Sequence, residues 1–328
     1  MAVRFGVVLP QGFKRDLGGI QDPVDQYEAM TRVAVEAERL GYHSVWLCDH
    51  LHPERRPAAS VPDERETVFE CWTSAAALAR DTTTVRIGQM VSNVIFRNPA
   101  LLAKMASTVD VLSHGRLDFG IGAGWLESEA RAYGYAFPDA AERAARLAEA
   151  LHVIRALWTQ DAATFPGKYY QLDMALNAPK GIQQPHIPLW VGGSGERVLL
   201  RLVARHADAY NVIAHDAETV RHKLAVLRDH CESEGRDYAT IRKSVHAFVI
   251  LLEPGEELDE ATRDRGPLSL DVVRRSNITG TTTEVADSLR QLVEAGADYF
   301  VLYFRTRLVD LGSIRRFASE VMPQFMAD

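Results

Sequence analysis

Eight short runs of apolar and β-branched residues, separated by longer amphipathic stretches, restrict the fold of this chain more than any other feature. In order, the runs are RFGVVLP, SVWLC, VRIGQMV, RLDFGIG, IPLWVGG, AYNVI, HAFVILL and DYFVLYF. Alternation of this kind is typical of βα units that wind around a parallel sheet. Eight such units are the number that closes a (β/α)8 (TIM) barrel.

An open, doubly wound sheet is the alternative that the same alternation allows. Dinucleotide-binding sheets of that type carry the motif G-x-G-x-x-G directly between the first strand and the first helix. Here the first strand leads into LPQGFKRDLGG, which lacks the motif. We therefore predict an α/β fold in which residues 1–328 form a single (β/α)8-barrel domain.

Two junctions between a helix and the next strand share a glycine. In ERLGYHSVWL and VEAGADYFVL, Gly41 and Gly296 stand where the helix must reverse into the strand. Glycine adopts the left-handed conformation at a helix end without the steric cost that a Cβ atom brings. We expect both residues to end their helices in this way.

Three segments are longer than the connections of a minimal barrel. They are residues 52–66, 160–184 and 253–271. In barrel enzymes the loops that follow the strands build the active site. We therefore expect these insertions at the carboxyl-terminal mouth of the barrel.

The charge and the amino-terminal segment exclude several classes of partner. The formal charge is -7, so the chain has no excess of positive charge with which to bind nucleic acid or an anionic membrane surface. The first apolar run is broken by Pro10 and is too short for a signal peptide or a membrane span. These features favour a cytoplasmic protein whose partner is a small molecule.

Residues that carry chemistry without a cofactor are missing from the positions where they would be needed. Cys48, Cys71 and Cys231 are odd in number and scattered, so they fit neither a disulfide framework nor a metal site, and no other cluster has metal-ligand spacing. The chain has no G-x-S-x-G motif, and its lysines fall in predicted loops or helices instead of at strand ends. A bound cofactor must therefore supply the reactivity, and we expect no metal.

The end of the second strand holds the best candidates for proton transfer. Asp49 and His50 follow SVWLC directly, at the rim where barrel enzymes place catalytic side chains. His50 can donate or accept a proton near neutral pH, with Asp49 orienting its ring. In the alternative interpretation, Asp49 caps a loop and His50 only packs. The strand end alone does not decide between the two.

The third and fourth strands end in residues that leave room for a flat ring. Met90, Val91 and Ser92 lie in QMVSN, and Gly122 and Gly124 lie in GIGAGW. Small residues and glycines allow a ligand to approach the backbone closely. Simple barrel packing, or a tight turn, explains the same residues equally well.

The fifth strand runs through WVGGSGE into a predicted helix. Free N–H groups at Gly192, Gly193, Ser194 and Gly195, together with the positive end of the helix dipole, would hold a phosphate group. The Ser194 hydroxyl would add a donor. The alternative is a flexible turn in which Ser194 is the N-cap of the helix.

Taken together, these segments resemble the luciferase-like monooxygenase superfamily, and especially its branch of F-420-dependent oxidoreductases. The resemblance is carried by ECWTSAAALA, by RNPALLAKMASTVDVLSHGRLDFGIGAGW and by GGSGERVLLRLVARHADAYN, and it extends from the first strand to the final helix. It implies a flavin or deazaflavin ring at the mouth of the barrel, propped by a non-prolyl cis peptide that corresponds to the bond between Met90 and Val91. It also implies a homodimer.

The resemblance implies a set of site residues. Asp49 and His50 would lie beside the ring and act in catalysis, while the phosphate tail would lie on the loop after the fifth strand. The residues expected to bind the cofactor are Asp49, Met90, Val91, Ser92, Gly122, Gly124, Ser128, Gly192, Gly193, Ser194 and Gly195.

One departure from the superfamily concerns the substrate. Sugar-phosphate dehydrogenases of the F-420 branch have a glutamate after the GxG of the fourth strand, whereas this chain has Trp125, and Glu127 is out of register. We therefore expect Trp125 to form a wall of an apolar substrate pocket, and a sugar phosphate is a doubtful substrate.

Three functions follow from the resemblance. The first is hydride transfer between coenzyme F-420 and a small organic substrate, with His50 transferring the proton. The second is a monooxygenase that uses reduced FMN and oxygen. The third is a cofactor-binding protein without turnover, which the presence of Asp49 and His50 argues against.

Overall fold

The computed structural model describes residues 3–54, 67–263 and 268–325. The strands in chain order are β1 (Arg4–Val8), β2 (Ser44–Leu47), β3 (Arg86–Gln89), β4 (Ser92–Asn93), β5 (Leu117–Gly122), β6 (Ala163–Pro166), β7 (Gln171–Ala175), β8 (Leu189–Gly192), β9 (Ala209–Ile213), β10 (Arg242–Leu251), β11 (Ile278–Gly280) and β12 (Tyr299–Phe304). The helices are α1 (Pro23–Arg39), α2 (Cys71–Asp81), α3 (Pro99–Leu112), α4 (Glu127–Ala132), α5 (Ala140–Thr159), α6 (Leu199–His206), α7 (Ala217–Ser233), α8 (Leu258–Ala261), α9 (Leu270–Ser276), α10 (Thr282–Glu294) and α11 (Gly312–Glu320). No helix within these ranges is long and apolar enough to cross a membrane.

Eight parallel strands close into a barrel. Their order around the ring is β1, β2, β3, β5, β8, β9, β10 and β12, and β12 pairs with β1. They correspond to the eight apolar runs of the sequence, so the predicted (β/α)8 fold is confirmed. The short strands β4 and β11 pair with β5 and β10, and β6 and β7 form a separate antiparallel hairpin.

The interior of the barrel is filled by aromatic rings. Trp46 and Trp190 meet with ring centroids 4.8 Å apart, and Trp190 lies 5.0 Å from the Tyr299 ring. Gly88 makes room for them, because a Cβ atom there would lie 2.2 Å from the Trp46 ring. The interior below the mouth is therefore a packed core, and a ligand can bind only above it.

The two predicted glycine junctions have the expected backbone. Gly41 follows α1 with φ 82°, and Gly296 follows α10 with φ 109°. Both angles lie in the region that a side chain rarely tolerates. These glycines let each helix reverse directly into the barrel strand that follows.

Residues 55–66 of the first predicted insertion lie outside the described residues. The chain on either side of them is held at one place, the loop that follows β1. The Glu54 N–H donates to the carbonyl of Phe13 (2.8 Å), and the Phe69 N–H donates to the carbonyl of Gln11 (3.1 Å). The two ends of the excursion are thus fixed beside each other at the carboxyl-terminal side of the barrel.

The second predicted insertion, 160–184, does not lie at the mouth. It contains the β6–β7 hairpin and packs on the outer helices: Glu149 accepts a hydrogen bond from the backbone of Lys168 (2.9 Å), and Asp110 accepts one from the backbone of Ile182 (2.7 Å). None of its residues lines the cavity described below. The expectation was wrong for this segment because it follows a helix, and helix-to-strand connections emerge at the opposite end of a barrel.

The third predicted insertion, 253–271, follows β10, but none of its described residues lines the cavity described below. It includes α8, where Leu258 packs against Ile250 and Val273 in a small apolar cluster. Residues 264–267 of this segment lie outside the described residues.

Candidate active site

The carboxyl ends of the barrel strands surround a cavity of about 950 Å³. That volume lies at the upper end of the range for small-molecule sites and is large enough for a ring cofactor together with a small substrate. The predicted site residues in its wall are Asp49, His50, Met90, Val91, Ser92, Gly122, Gly124, Trp125, Gly192, Gly193, Ser194 and Gly195. The strand ends therefore meet in one place, as the sequence predicted.

Ser128 is the one predicted site residue that does not line this cavity. It lies in the first turn of α4 and is exposed. One residue further along the helix, Glu129 is almost completely buried and turns inward. That Ser128 binds the cofactor stays a prediction, and Glu129 is the polar residue of this turn whose side chain is buried.

His50 is oriented by Glu129, a residue that the sequence analysis missed. Nδ1 of His50 lies 2.9 Å from one carboxylate oxygen of Glu129, and the other oxygen accepts hydrogen bonds from the backbone N–H groups of Leu51 (2.8 Å) and His52 (3.3 Å). Burial raises the pKa of Glu129, but these hydrogen bonds outweigh burial and hold the pKa below its ordinary value. The carboxylate is thus ionised, so Nδ1 must donate to it.

Asp49 does not orient His50, and the expectation that it would was wrong. Both residues lie beyond the end of β2 at Leu47, and the Asp49 carboxylate turns towards Arg97, with which it forms two hydrogen bonds of 2.7 and 3.0 Å. It also accepts a hydrogen bond from the backbone of Asn93 (2.8 Å). Asp49 therefore connects the end of β2 to β4. Burial raises the pKa of its carboxyl group, and the positive charge of Arg97 offsets part of that rise.

Two aromatic rings contact the His50 ring. Phe13 stacks on it with the centroids 3.5 Å apart and the planes within 4° of each other, and Trp125 meets it edge-on at 5.9 Å. Trp125 lines the cavity, as expected, and 60% of its surface is exposed. With Glu129 on Nδ1 and Phe13 on one face, His50 keeps Nε2, which has no hydrogen-bond partner among the described residues, for a ligand.

The chain crosses from β3 to β4 through the peptide bond between Met90 and Val91, which is cis, as the resemblance implied. This bulge turns the Val91 side chain towards β5 and β8. The methyl carbons of Val91 lie beside Gly122 and Gly192, so this residue contributes an apolar surface to the cavity wall.

The glycines around the bulge make room for protein atoms, which corrects part of the expectation. A Cβ atom on Gly122 would lie 2.6 Å from a methyl carbon of Val91, and one on Gly192 would lie 2.9 Å from the other methyl carbon. A Cβ atom on Gly124 would lie 2.4 Å from the Asn93 side chain. These glycines line the cavity, but close packing of the β3–β4 bulge is sufficient to require them.

Of the four predicted N–H donors around the end of β8, Ser194 and Gly195 donate to no residue that the structure describes, whereas the Gly193 N–H donates to the carbonyl of Asn211 (3.3 Å) and Gly192 lies in β8 itself. The carbonyls of Gly193 and Ser194 are turned into the protein, where they accept hydrogen bonds from Tyr210 (3.0 Å) and Lys223 (2.8 Å). Within the described part of the chain, the backbone N–H groups of residues 194–198 donate no hydrogen bond. Free N–H groups beside a helix start are a common binding site for phosphate.

The helix itself begins later than expected. α6 starts at Leu199, and Val198 is its N-cap, without a side-chain hydrogen bond. Ser194 is therefore not the N-cap. Arg197, which the sequence analysis missed, lines the cavity and has no ion pair or hydrogen bond within the described ranges. The loop thus combines free N–H groups with one unpaired cation.

The sequence analysis also missed His246, which faces the cavity from β10. It is one of the two cavity histidines, together with His50, in the part of the chain that the structure describes. His246 lies in the middle of its strand and belongs to no motif. The alternation of side chains along HAFVILL was the one signal that could have placed it on the inner face of the barrel.

Comparison with known proteins agrees with this architecture. Residues 3–266 match the model of the luciferase-like monooxygenase family. The F-420-dependent glucose-6-phosphate dehydrogenase of Kineococcus radiotolerans is 30% identical over 300 residues, which cover 82% of this chain and 85% of that protein.

Two solved structures have the same fold. An F-420-dependent secondary alcohol dehydrogenase in complex with an F-420–acetone adduct superposes on 100% of both chains with a TM-score of 0.81 and 22% identity. A monooxygenase from Streptomyces bottropensis superposes with a TM-score of 0.79 and 22% identity, over 98% of this chain and 99% of its own. From the match over residues 3–266 and the identity to its relative, we conclude that the chain belongs to the luciferase-like monooxygenase family.

Proposed function

We propose that this protein is an F-420-dependent oxidoreductase that transfers a hydride between the deazaflavin and a small organic substrate. The observation that carries the proposal is the 30% identity, over 82% of the chain, to a relative named as F-420-dependent. The site geometry supports it, because the cavity has an apolar surface at Val91, a loop with free N–H groups and a histidine in a fixed orientation.

The residues present fit a ring cofactor with a phosphate tail. We propose that Met90, Val91 and Ser92 pack behind the ring and that Gly122 and Gly124 border it. The phosphate would lie on the loop 192–195, with Arg197 neutralising part of its charge. When bound, the coenzyme supplies the ring carbon that accepts or donates the hydride.

His50 would move the proton that accompanies the hydride. Because the Glu129 carboxylate requires a proton on Nδ1, the neutral ring has a lone pair on Nε2. That atom can accept a hydroxyl proton from the substrate in the oxidative direction and return it in the reductive direction. In this proposal Asp49 acts by fixing the cavity wall, since both of its oxygens are already hydrogen-bonded to Arg97.

Reduced FMN with oxygen is the second candidate, because the family as a whole is described by monooxygenase activity. Titration calorimetry with oxidised F-420 and with FMN separates the two functions. We expect F-420 to bind at least tenfold more tightly. Tighter binding of FMN with oxygen-dependent turnover would establish the monooxygenase, and tight cofactor binding with no turnover of any tested substrate would indicate the non-catalytic protein.

The role of His50 is tested by His50→Ala. We expect turnover to fall by about a hundredfold or more while the affinity for F-420 changes far less, because general acid–base catalysis contributes about that factor. The opposite pattern, a lower affinity with turnover preserved at saturation, would assign His50 to packing against the cofactor.

We also propose that the protein is a cytoplasmic homodimer. Several large apolar side chains on α3 and on the segment beside it are exposed, among them Leu101, Leu176 and Ile182, and Lys104 bonds that segment to α3 (2.9 Å). Exposed apolar side chains that lie close together are typical of a surface that binds another protein. Light scattering on the purified protein measures the assembly directly, and a monomeric mass at micromolar concentration would contradict it.

A further inference from the structure

His246 occupies the part of the cavity wall that the cofactor proposal leaves unused. It lies on β10, and its ring meets Phe248 edge-on with the centroids 5.1 Å apart. The Phe248 ring in turn lies edge-on to Tyr303 at 5.7 Å. All three side chains line the cavity. This sector is therefore mainly aromatic. Its polar groups are the His246 imidazole, the buried Tyr303 hydroxyl, which bonds Asp16, and the Lys14 ammonium, which lies 5.6 Å from the centroid of the Phe248 ring.

The two nitrogens of the His246 ring have no hydrogen-bond partner within the described residues. Nδ1 is completely buried, whereas Nε2 is not among the buried unpaired atoms and so lies on the edge of the ring that remains accessible. Buried polar atoms in proteins nearly always have a partner. An unpaired buried acceptor is more common than an unpaired buried N–H, so the favoured tautomer carries its proton on Nε2.

The charges around His246 argue for an uncharged ligand. Burial, and secondly the positive charge of Lys14, lower the pKa of His246 to about 4, so the ring is neutral near pH 7. Lys14 itself is paired with Glu54 (2.8 Å). Arg143 donates to the carbonyl of Pro138 (2.6 Å). Within the described ranges, the cation that remains without a partner in the cavity wall is Arg197, on the proposed phosphate loop.

We propose that Nε2–H of His246 donates a hydrogen bond to the oxygen of an uncharged alcohol or carbonyl substrate with an apolar remainder. This inference rests on the proposed function and names its substrate class. In the oxidative direction, the C–H bond of the carbinol carbon breaks and its electron pair leaves as hydride to the coenzyme. The hydroxyl proton passes to Nε2 of His50, and the C=O bond forms while His246 keeps its proton. A phosphorylated sugar would have no free cation in this sector.

Cyclohexanol with oxidised F-420 is the probe, and the variants are His246→Phe and His246→Gln. Phenylalanine keeps the ring and removes the donor, whereas glutamine restores an N–H at a similar distance. We expect the wild type to oxidise cyclohexanol and to leave glucose 6-phosphate unchanged. For His246→Phe, KM for cyclohexanol should rise at least tenfold, and His246→Gln should recover most of that loss.

Two readouts that do not depend on turnover accompany the kinetics. The affinity of each variant for F-420, measured by calorimetry, should stay within twofold of the wild type. The melting temperature of ligand-free His246→Phe should lie between that of the wild type and about 2 °C above it, because an unpaired buried nitrogen is removed. A ring that is needed only for packing would instead lower the melting temperature and leave KM unchanged.

The outcomes separate this inference from the proposed function. If F-420 does not bind, the proposed function fails, and the inference fails with it. If F-420 binds and cyclohexanol is not oxidised, or glucose 6-phosphate is oxidised instead, the substrate class is wrong while the cofactor assignment stands. If cyclohexanol is oxidised with the same KM by wild type and His246→Phe, His246 does not bind the substrate oxygen.

Discussion

Gly122→Ala tests whether the glycines at the mouth serve the protein or the ligand. The added Cβ atom would lie 2.6 Å from a methyl carbon of Val91 and 3.1 Å from the carbonyl oxygen of Gly192, whereas ordinary contacts are 3.4–4 Å. The bulge must therefore shift. Overpacking of this kind costs about 1–3 kcal/mol. For a chain of this length that corresponds to a fall in melting temperature of roughly 2–6 °C.

The assay is urea unfolding of the ligand-free protein, with two comparison variants. Gly19 has no atom within 4 Å of an added Cβ atom and no left-handed φ, so Gly19→Ala should be neutral or slightly stabilising. The second comparison is the double variant Gly122→Ala with Val91→Ala, which removes the methyl carbon that the new Cβ atom meets. Its loss of stability should be smaller than the sum of the single losses by about 1 kcal/mol or more.

A specific result would refute this reasoning. If Gly122→Ala unfolds at the wild-type urea concentration but binds F-420 at least tenfold more weakly, the glycine leaves space for the ligand and not for Val91. Strict additivity in the double variant would lead to the same conclusion.

Three further predictions concern His50, the phosphate loop and pH. Glu129→Gln should lower turnover by about tenfold to a hundredfold with F-420 affinity preserved. The control Glu127→Gln, which changes an exposed carboxylate on the same helix, should have no effect. Equal turnover of the two variants would remove Glu129 from the mechanism. Gly195→Asp should weaken F-420 binding at least tenfold, or about 1.4 kcal/mol, because it places a carboxylate beside the free N–H groups. Gly193→Asp would also strain the backbone, since Gly193 has φ 140°, so its effect on binding could not be separated from that strain. Unchanged calorimetric affinity in folded Gly195→Asp would place the phosphate elsewhere. Wild-type stability should fall as the pH drops from about 6.5 towards 4, because burial lowers the pKa of His43, His206 and His246 to about 4 and the unfolded chain protonates them first. For His246, the ordinary pKa of 6.5 against about 4 corresponds to roughly 2–3 kcal/mol at pH 4.5, and His246→Phe should not lose this part. Parallel stability curves of the wild type and His246→Phe from pH 7 to 4.5 would contradict the assignment.

The sequence predicted the barrel because each strand is marked by its own local hydrophobic pattern, and this pattern occurs eight times along the chain. It predicted the strand ends that meet at the cavity, since carboxyl ends of parallel strands share one edge. That residues 1–328 form one domain stays a prediction.

What the sequence did not predict are the partners of the site residues. Glu129 reaches His50 across 79 positions, and Arg97 reaches Asp49 across 48. No local pattern encodes such pairs. Asp49 was assigned to its neighbour in the chain, although its carboxylate turns towards Arg97. His246 was missed because nothing in its strand distinguishes an inward histidine from an outward one.

The pairing of Glu54 with Phe13 and of Phe69 with Gln11 has a consequence for engineering. Because Glu54 and Phe69 each bond to the loop that follows β1, the described chain is anchored on both sides of the segment between them. Variants that exchange the segment between Glu54 and Thr67 keep the residues of both anchoring hydrogen bonds, His50 and Glu129 in the sequence, and urea unfolding of such variants measures how far the stability of the barrel depends on that segment.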